Sequence, residues 1–147
     1  MGFKNSFIIA ISCISILAAC NSQAQPTNLS VTEFEKGIAQ NNIQLLDVRT
    51  AEEYQSGHLK NALLADWNND AEFQQRVKAL DKNKPVYTYC LSGARSNAAM
   101  QWLKQNGFTA YNLSGGIIAW KRENKPVEQA VAIKQMSLQQ YLAQIPN

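Results

Sequence analysis

Histidine occurs once in this chain and cysteine three times, so the side chains that hold transition metals are scarce. One imidazole and one free thiol in the mature chain are too few ligands for a metal centre, and no cofactor is expected. Basic residues exceed acidic ones only slightly, 14 against 11, and they are scattered. With no basic patch or basic helix face, nucleic acid is not an expected partner. There is no internal repeat and no low-complexity tract. The longest apolar run, Phe7 to Leu17, is too short to span a bilayer as a mature helix. What is left, at 147 residues, is one domain's worth of chain, long enough to bury a real core.

The N-terminus reads as an address and not as fold. Lys4 precedes the apolar run, and the small residues Ala18-Ala19-Cys20 follow it, which is the order of a secretory signal. Leu17-Ala18-Ala19-Cys20 resembles a bacterial lipobox, in which Cys20 is acylated and becomes the first mature residue. Residues 1–19 are therefore expected to leave as a signal peptide and 20–28 to form a polar tether. The protein would then be exported and held on a bacterial membrane by lipid alone; cleavage after Ala24 as an ordinary secreted chain is the alternative. Cys13 departs with the signal and Cys20 carries lipid, so Cys90 stands as the single free thiol in a compartment where cysteines are usually paired. No second thiol is left to resolve a sulfur species on Cys90. An external acceptor is needed.

Tyr87–Leu103, YTYCLSGARSNAAMQWL, sets that thiol between two elements. Pro85–Tyr89 reads as a buried strand, with proline tolerated at its start. From Arg95 the apolar residues Ala98, Ala99, Trp102 and Leu103 recur at helical spacing. The turn between them, Cys90-Leu91-Ser92-Gly93-Ala94-Arg95, is short and small, with one cation. Such a turn aims backbone amides and the positive end of a helix into a pocket. A thiol there ionises easily, stabilised by the amides of Leu91 to Ser96 and by Arg95. A cation at a helix N-terminus opposes the dipole, so Arg95 is expected to serve an anion.

The rest alternates strand and helix, which predicts a parallel doubly wound sheet. Leu29–Val31 starts a strand and Thr32-Glu33-Phe34-Glu35 caps the helix after it. Ile43–Val48 is a second strand, Glu52–Gln55 a brief helix, Ala62–Leu64 a third strand and Asn69–Leu80 a helix. Phe108–Leu113 is the fifth strand, and Gly115-Gly116 opens a helix through Trp120. Ligands of such sheets bind beyond the strands' carboxyl ends, where Asp47 and Cys90 both fall. Residues 129–147 form an appendage, with Ser137 capping a helix whose Leu138, Tyr141, Leu142 and Ile145 share one side.

Three segments carry a family resemblance. The stretch from Tyr89 to Leu103 resembles the active loop and following helix of a single-domain rhodanese. LLDVRTAEEYQSGHLKNALL (Leu45–Leu64) and LSGGIIAWKRENKPVE (Leu113–Glu128) are similar to two further segments of that family, in the same order. The resemblance covers about Asn28 to Val127, and it places the domain at 29–128. It implies an α/β fold, a five-stranded parallel sheet flanked by helices on both faces. It also implies a sulfurtransferase that moves sulfane sulfur from an anionic donor such as thiosulfate to a thiol or cyanide, through a persulfide on Cys90. Amides of Leu91, Ser92, Gly93, Ala94 and Ser96 would hold the sulfur and Arg95 the donor's anionic end, in a monomer. Asn124 stands where the family often has glycine, and asparagine also tolerates left-handed geometry.

Other readings of the same residues are a persulfide carrier that does not turn over or a sulfur-sensing binding module, and a cysteine phosphatase or arsenate reductase. The phosphatases place five residues between cysteine and arginine, whereas Cys90 and Arg95 are separated by Leu91 to Ala94. Asp47 is expected to fix a loop through backbone amides, Arg49 to pair with a carboxylate such as Glu53, and His58 to be structural. Trp67, Trp102 and Trp120 read as helical core or pocket wall.

Overall fold

A computed structural model describes residues 26–129. The expected signal peptide 1–19, Cys20 and most of the tether lie outside the described residues, as do residues 130–147 and the helix expected there. Within them, five strands alternate with five helices: β1 (Asn28–Leu29), α1 (Val31–Ile38), β2 (Gln44–Asp47), α2 (Ala51–Gln55), β3 (Leu63–Leu64), α3 (Asp70–Val77), β4 (Val86–Tyr89), α4 (Ala94–Gln105), β5 (Ala110–Leu113) and α5 (Gly116–Arg122). The strands form one parallel sheet in the order β1-β5-β4-β2-β3. The expected architecture is present.

Period-two alternation divides the core between the faces. On one face Leu46, Val86 and Cys90 pack with Phe73 and Val77 of α3 and with Ala99, Met100 and Leu103 of α4. On the other, Leu45, Tyr87 and Tyr89 pack with Val31 and Phe34 of α1 and Ile117 and Trp120 of α5. Tyr54 of α2 leans on that second cluster. Phe34 and Phe73 are almost wholly buried, a burial that stabilises the fold by about 1.5–3 kcal/mol for each ring.

Local chemistry sets the helix starts, and it moves one of them. The α1 cap is Ser30, not Thr32: the Ser30 hydroxyl accepts from Glu33 N, and Glu33 reaches back to Ser30 N at 2.8 Å. Ser30-Val31-Thr32-Glu33 is the capping box, so the strand before it shortens to Asn28–Leu29 and begins inside the expected tether. Thr50 and Glu53 make the same box for α2; Asn69 caps α3, which covers Asp70–Val77 of the helix expected over 69–80. Trp67 lies in the turn before α3 and not on a helix; its ring meets Phe73 edge-on, with centroids 4.9 Å apart.

The chain order places a crevice beside Cys90. From β2 the chain proceeds to β3 on one side, and from β4 to β5 on the other. Helices α2 and α4 leave the carboxyl ends of β2 and β4 towards opposite faces. At such a switch point the sheet opens a ligand crevice.

Candidate active site

Cys90 is the first residue after β4, at the carboxyl edge of a central strand. Its side chain is 1 % exposed. The sulfur accepts from Gly93 N at 3.1 Å and from the Ser96 hydroxyl at 3.3 Å. Burial pushes the thiol up, but the Ser96 hydroxyl and the amides of Ser96, Gly93 and Ser92 outweigh it, so the net direction is below the ordinary cysteine value. The sulfur therefore sits on hydrogen-bond donors at the start of a helix of 12 residues, where a thiolate is favoured.

Backbone strain and a second helix hold the loop in this shape. Gly93 caps α4 with φ +97, a left-handed conformation that turns its N–H towards the sulfur. A Cβ there would also lie 3.1 Å from Leu113 O and Gly115 N. At the start of α5, Ile117 N donates to Cys90 O at 2.9 Å and Ile118 N to Leu91 O at 3.2 Å. The free amides of one helix thus clamp the loop carbonyls outward, which leaves the loop amides to face the sulfur. Gly116 permits that approach: a Cβ would stand 2.5 Å from both carbonyl oxygens. Thr88 ties β4 to its neighbours, donating to Ser96 O at 3.1 Å and Tyr111 O at 3.0 Å.

Of the expected sulfur-holding residues, the structure brings Ser92, Gly93 and Ser96 to Cys90. Leu91 and Ala94 make no hydrogen bond to it, and Leu91 exposes its side chain instead. Arg95 reaches across the crevice to α2: its two terminal nitrogens donate to Glu53 Oε2 at 2.8 Å and Oε1 at 2.7 Å. Arg95 holds the Glu53 carboxyl down to about 2, with a smaller contribution from Thr50 N. Glu53 therefore stays ionised throughout the neutral range.

This pairing corrects an expectation for Arg49. Arg49 does not take Glu53; it takes Asp47, through Nε at 2.8 Å and Nη2 at 2.5 Å, and it adds a bond to Gly57 O at 2.8 Å. Both residues are almost wholly buried. Asp47 also accepts from Arg49 N at 3.1 Å, so it fixes its loop as expected, chiefly by holding a guanidinium. The physical reason is reach: two residues apart at the end of a buried strand, the pair closes without crossing the crevice. Removing either partner would leave an uncompensated buried charge. His58 stacks on Tyr54, 3.8 Å between centroids, and its backbone pairs with Glu128. It makes no hydrogen bond to the Cys90 loop. Asn124 adopts φ +57, the left-handed geometry expected of it.

Sequence reasoning did not find the Ser96 hydroxyl as a sulfur ligand, the clamp from Ile117 and Ile118, or Glu53 as the partner of Arg95. The Gly115-Gly116 pair was the one visible signal of the clamp. Cleft size is no guide to the chemistry either. A cleft of about 650 Å³ runs along the β3 edge, lined by Leu46, Leu63, Leu64 and Leu80, and its charged residues Glu72 and Arg76 pair with each other. Among the described residues no group of histidines, cysteines and carboxylates has the arrangement to hold a metal ion.

Comparison with known proteins agrees with this geometry. A family model described as "Rhodanese-like domain" matches residues 30–123. A tRNA uridine(34) hydroxylase of Cytophaga hutchinsonii is 38 % identical over 96 residues, and this chain spans 31 % of its length. YtwF of Bacillus subtilis, a candidate sulfurtransferase by its name, is 34 % identical over 92 residues, which is 63 % of this chain and 86 % of YtwF. Among solved structures, a rhodanese-related protein of Thermoplasma volcanium superposes with a TM-score of 0.63 at 27 % identity, over 70 % of this chain and 98 % of that one.

Proposed function

The chain belongs to the rhodanese-like domain family, and from that premise we propose that it is a sulfurtransferase working through a persulfide on Cys90. The observation that carries the reading is the sulfur's setting: Cys90 Sγ rests on Gly93 N–H and the Ser96 hydroxyl, with its thiol lowered. The Cys90 thiolate attacks the outer sulfur of a donor such as thiosulfate. A new S–S bond forms, the bond to the sulfite group breaks, and sulfite leaves with the electron pair. The terminal sulfur of the persulfide then carries the negative charge beside the loop amides. Cyanide or a thiolate attacks that outer sulfur, takes it away as thiocyanate or a new persulfide, and returns Cys90 as the thiolate. The loop donors favour the thiolate, which lessens the need for a general base. Arg95, the loop's one cation, spends both terminal nitrogens on Glu53, so the donor's sulfur is held chiefly by the loop amides.

The name of the tRNA hydroxylases belongs to proteins about three times the length of the matched segment, and it supports only a shared domain. The rival within this family is a carrier that loads sulfur once and hands it to a partner. Thiocyanate formation from thiosulfate and cyanide decides between them. Product in large molar excess over protein, lost in Cys90→Ser, is the expected result. A single equivalent per chain would identify the carrier. We also propose that lipid on Cys20 holds the domain at an exported membrane face, a reading supported by Leu17-Ala18-Ala19-Cys20.

A further inference from the structure

The mouth of the Cys90 loop has an unexpected charge balance. Arg95 is the loop's one cation, and both of its terminal nitrogens are committed to Glu53, at 2.8 and 2.7 Å. The pair is about three-quarters buried on each side, so it is shielded from solvent more than an ordinary surface pair. Glu53 is itself held in place, accepting from Thr50 N at 3.1 Å in the capping box of α2. Asp66 adds its field at the same guanidinium, as does the Cys90 sulfur. Once Cys90 ionises, the Glu53 carboxylate and the thiolate both stand against the one guanidinium of Arg95. An incoming dianion meets a net negative mouth. The other lip is apolar: Leu91 and Ile118 are each 44 % exposed and are joined by the Ile118 N to Leu91 O bond.

We infer that Glu53 is a specificity-determining residue, which cancels the charge of Arg95 and selects organic sulfur donors of low charge, such as alkyl persulfides, against inorganic dianions. This rests on the sulfurtransferase reading for its substrates but not for its electrostatics. With a persulfide R–S–SH, the Cys90 thiolate attacks the outer sulfur, a new S–S bond forms, the donor's own S–S bond breaks, and R–S⁻ leaves with the electron pair. Cys90 is left as Cys–S–SH, whose proton passes to solvent. The leaving group carries one negative charge, against two for sulfite, and its organic part meets Leu91 and Ile118.

The test is Glu53→Gln in the full chain, read at the Cys90 peptide by mass. Gln keeps the capping geometry of α2, because Glu and Gln both serve at that position. The first readout is alkylation by iodoacetate and iodoacetamide, which are alike in shape and differ in charge. The ratio of their rates cancels any change in thiolate content. Removing one charge should raise the iodoacetate to iodoacetamide ratio roughly threefold to tenfold, and Glu53→Asp, which restores the charge, should bring it back towards the parent. The second readout compares thiosulfate with methanethiosulfonate, a monoanion of similar geometry. The parent should prefer the monoanion, and Glu53→Gln should narrow that preference by a similar factor. An unmoved alkylation ratio, or a fall in it, overturns the inference. A raised ratio with no sulfur loaded from either donor would uphold the role of Glu53 and refute the sulfurtransferase reading instead.

Discussion

At the scale of single residues, Cys90 works through its donors and not through a base. Burial opposes its ionisation, and the Ser96 hydroxyl is the first of the groups that reverse the balance. Ser96→Ala removes one hydrogen bond to a charged sulfur, a change of about 1.5–3 kcal/mol. The 3.3 Å length puts Ser96 at the lower end of that range. The midpoint of Cys90 alkylation by iodoacetamide should therefore move up by about one pH unit, with the fold intact by circular dichroism. An unmoved midpoint would assign the stabilisation to the amides alone. Glu53 couples to pH with the same sign as Cys90, because its ionised form is also the one the fold favours. Its carboxyl is lowered from 4.5 to about 2, so its pairing supports the fold fully above 4.5, and that support is lost as the pH falls towards about 2.

Elements with strong local chemistry were legible in the sequence. The Leu45-Leu46 centre of β2, the three-to-four spacing of α4 and the strand-turn-helix around Cys90 all stand where their residues place them. The edge strands were the harder case: β1 and β3 are two residues each, too short for a period to show. The shift of the α1 cap from Thr32 to Ser30 arises because two capping patterns overlap, Ser30 with Glu33 and Thr32 with Glu35, and the reciprocal Ser30–Glu33 bonds are the ones that form. The clamp from α5 was beyond reach for a different reason. Ile117 and Cys90 are far apart in sequence, and only the parallel pairing of β4 with β5 brings them together. The same holds for Glu53 and Arg95, which leave β2 and β4 on opposite faces before meeting. A sequence shows that Arg95 needs an anion; it does not show that the anion is the protein's own.

At the scale of the whole molecule, β1 is paired to β5 and Glu128 bridges to His58 among the described residues. The lipid proposed on Cys20 precedes in sequence every residue that builds the sheet. Cys20→Ser should move the protein out of the membrane fraction, soluble or as uncleaved precursor, while leaving sulfur transfer in place, because acylation supplies the buried chains that hold it. Parent and variant equally soluble, with no acyl mass on Cys20, would show an ordinary secreted protein. The central claim is narrower and is tested at one atom. The purified chain, exposed to thiosulfate or methanethiosulfonate and digested, should carry the mass of one added sulfur on the peptide containing Cys90. Cyanide should remove it as thiocyanate, and Cys90→Ser should never acquire it. An unmodified Cys90 peptide, or transfer that persists in Cys90→Ser, would contradict the account.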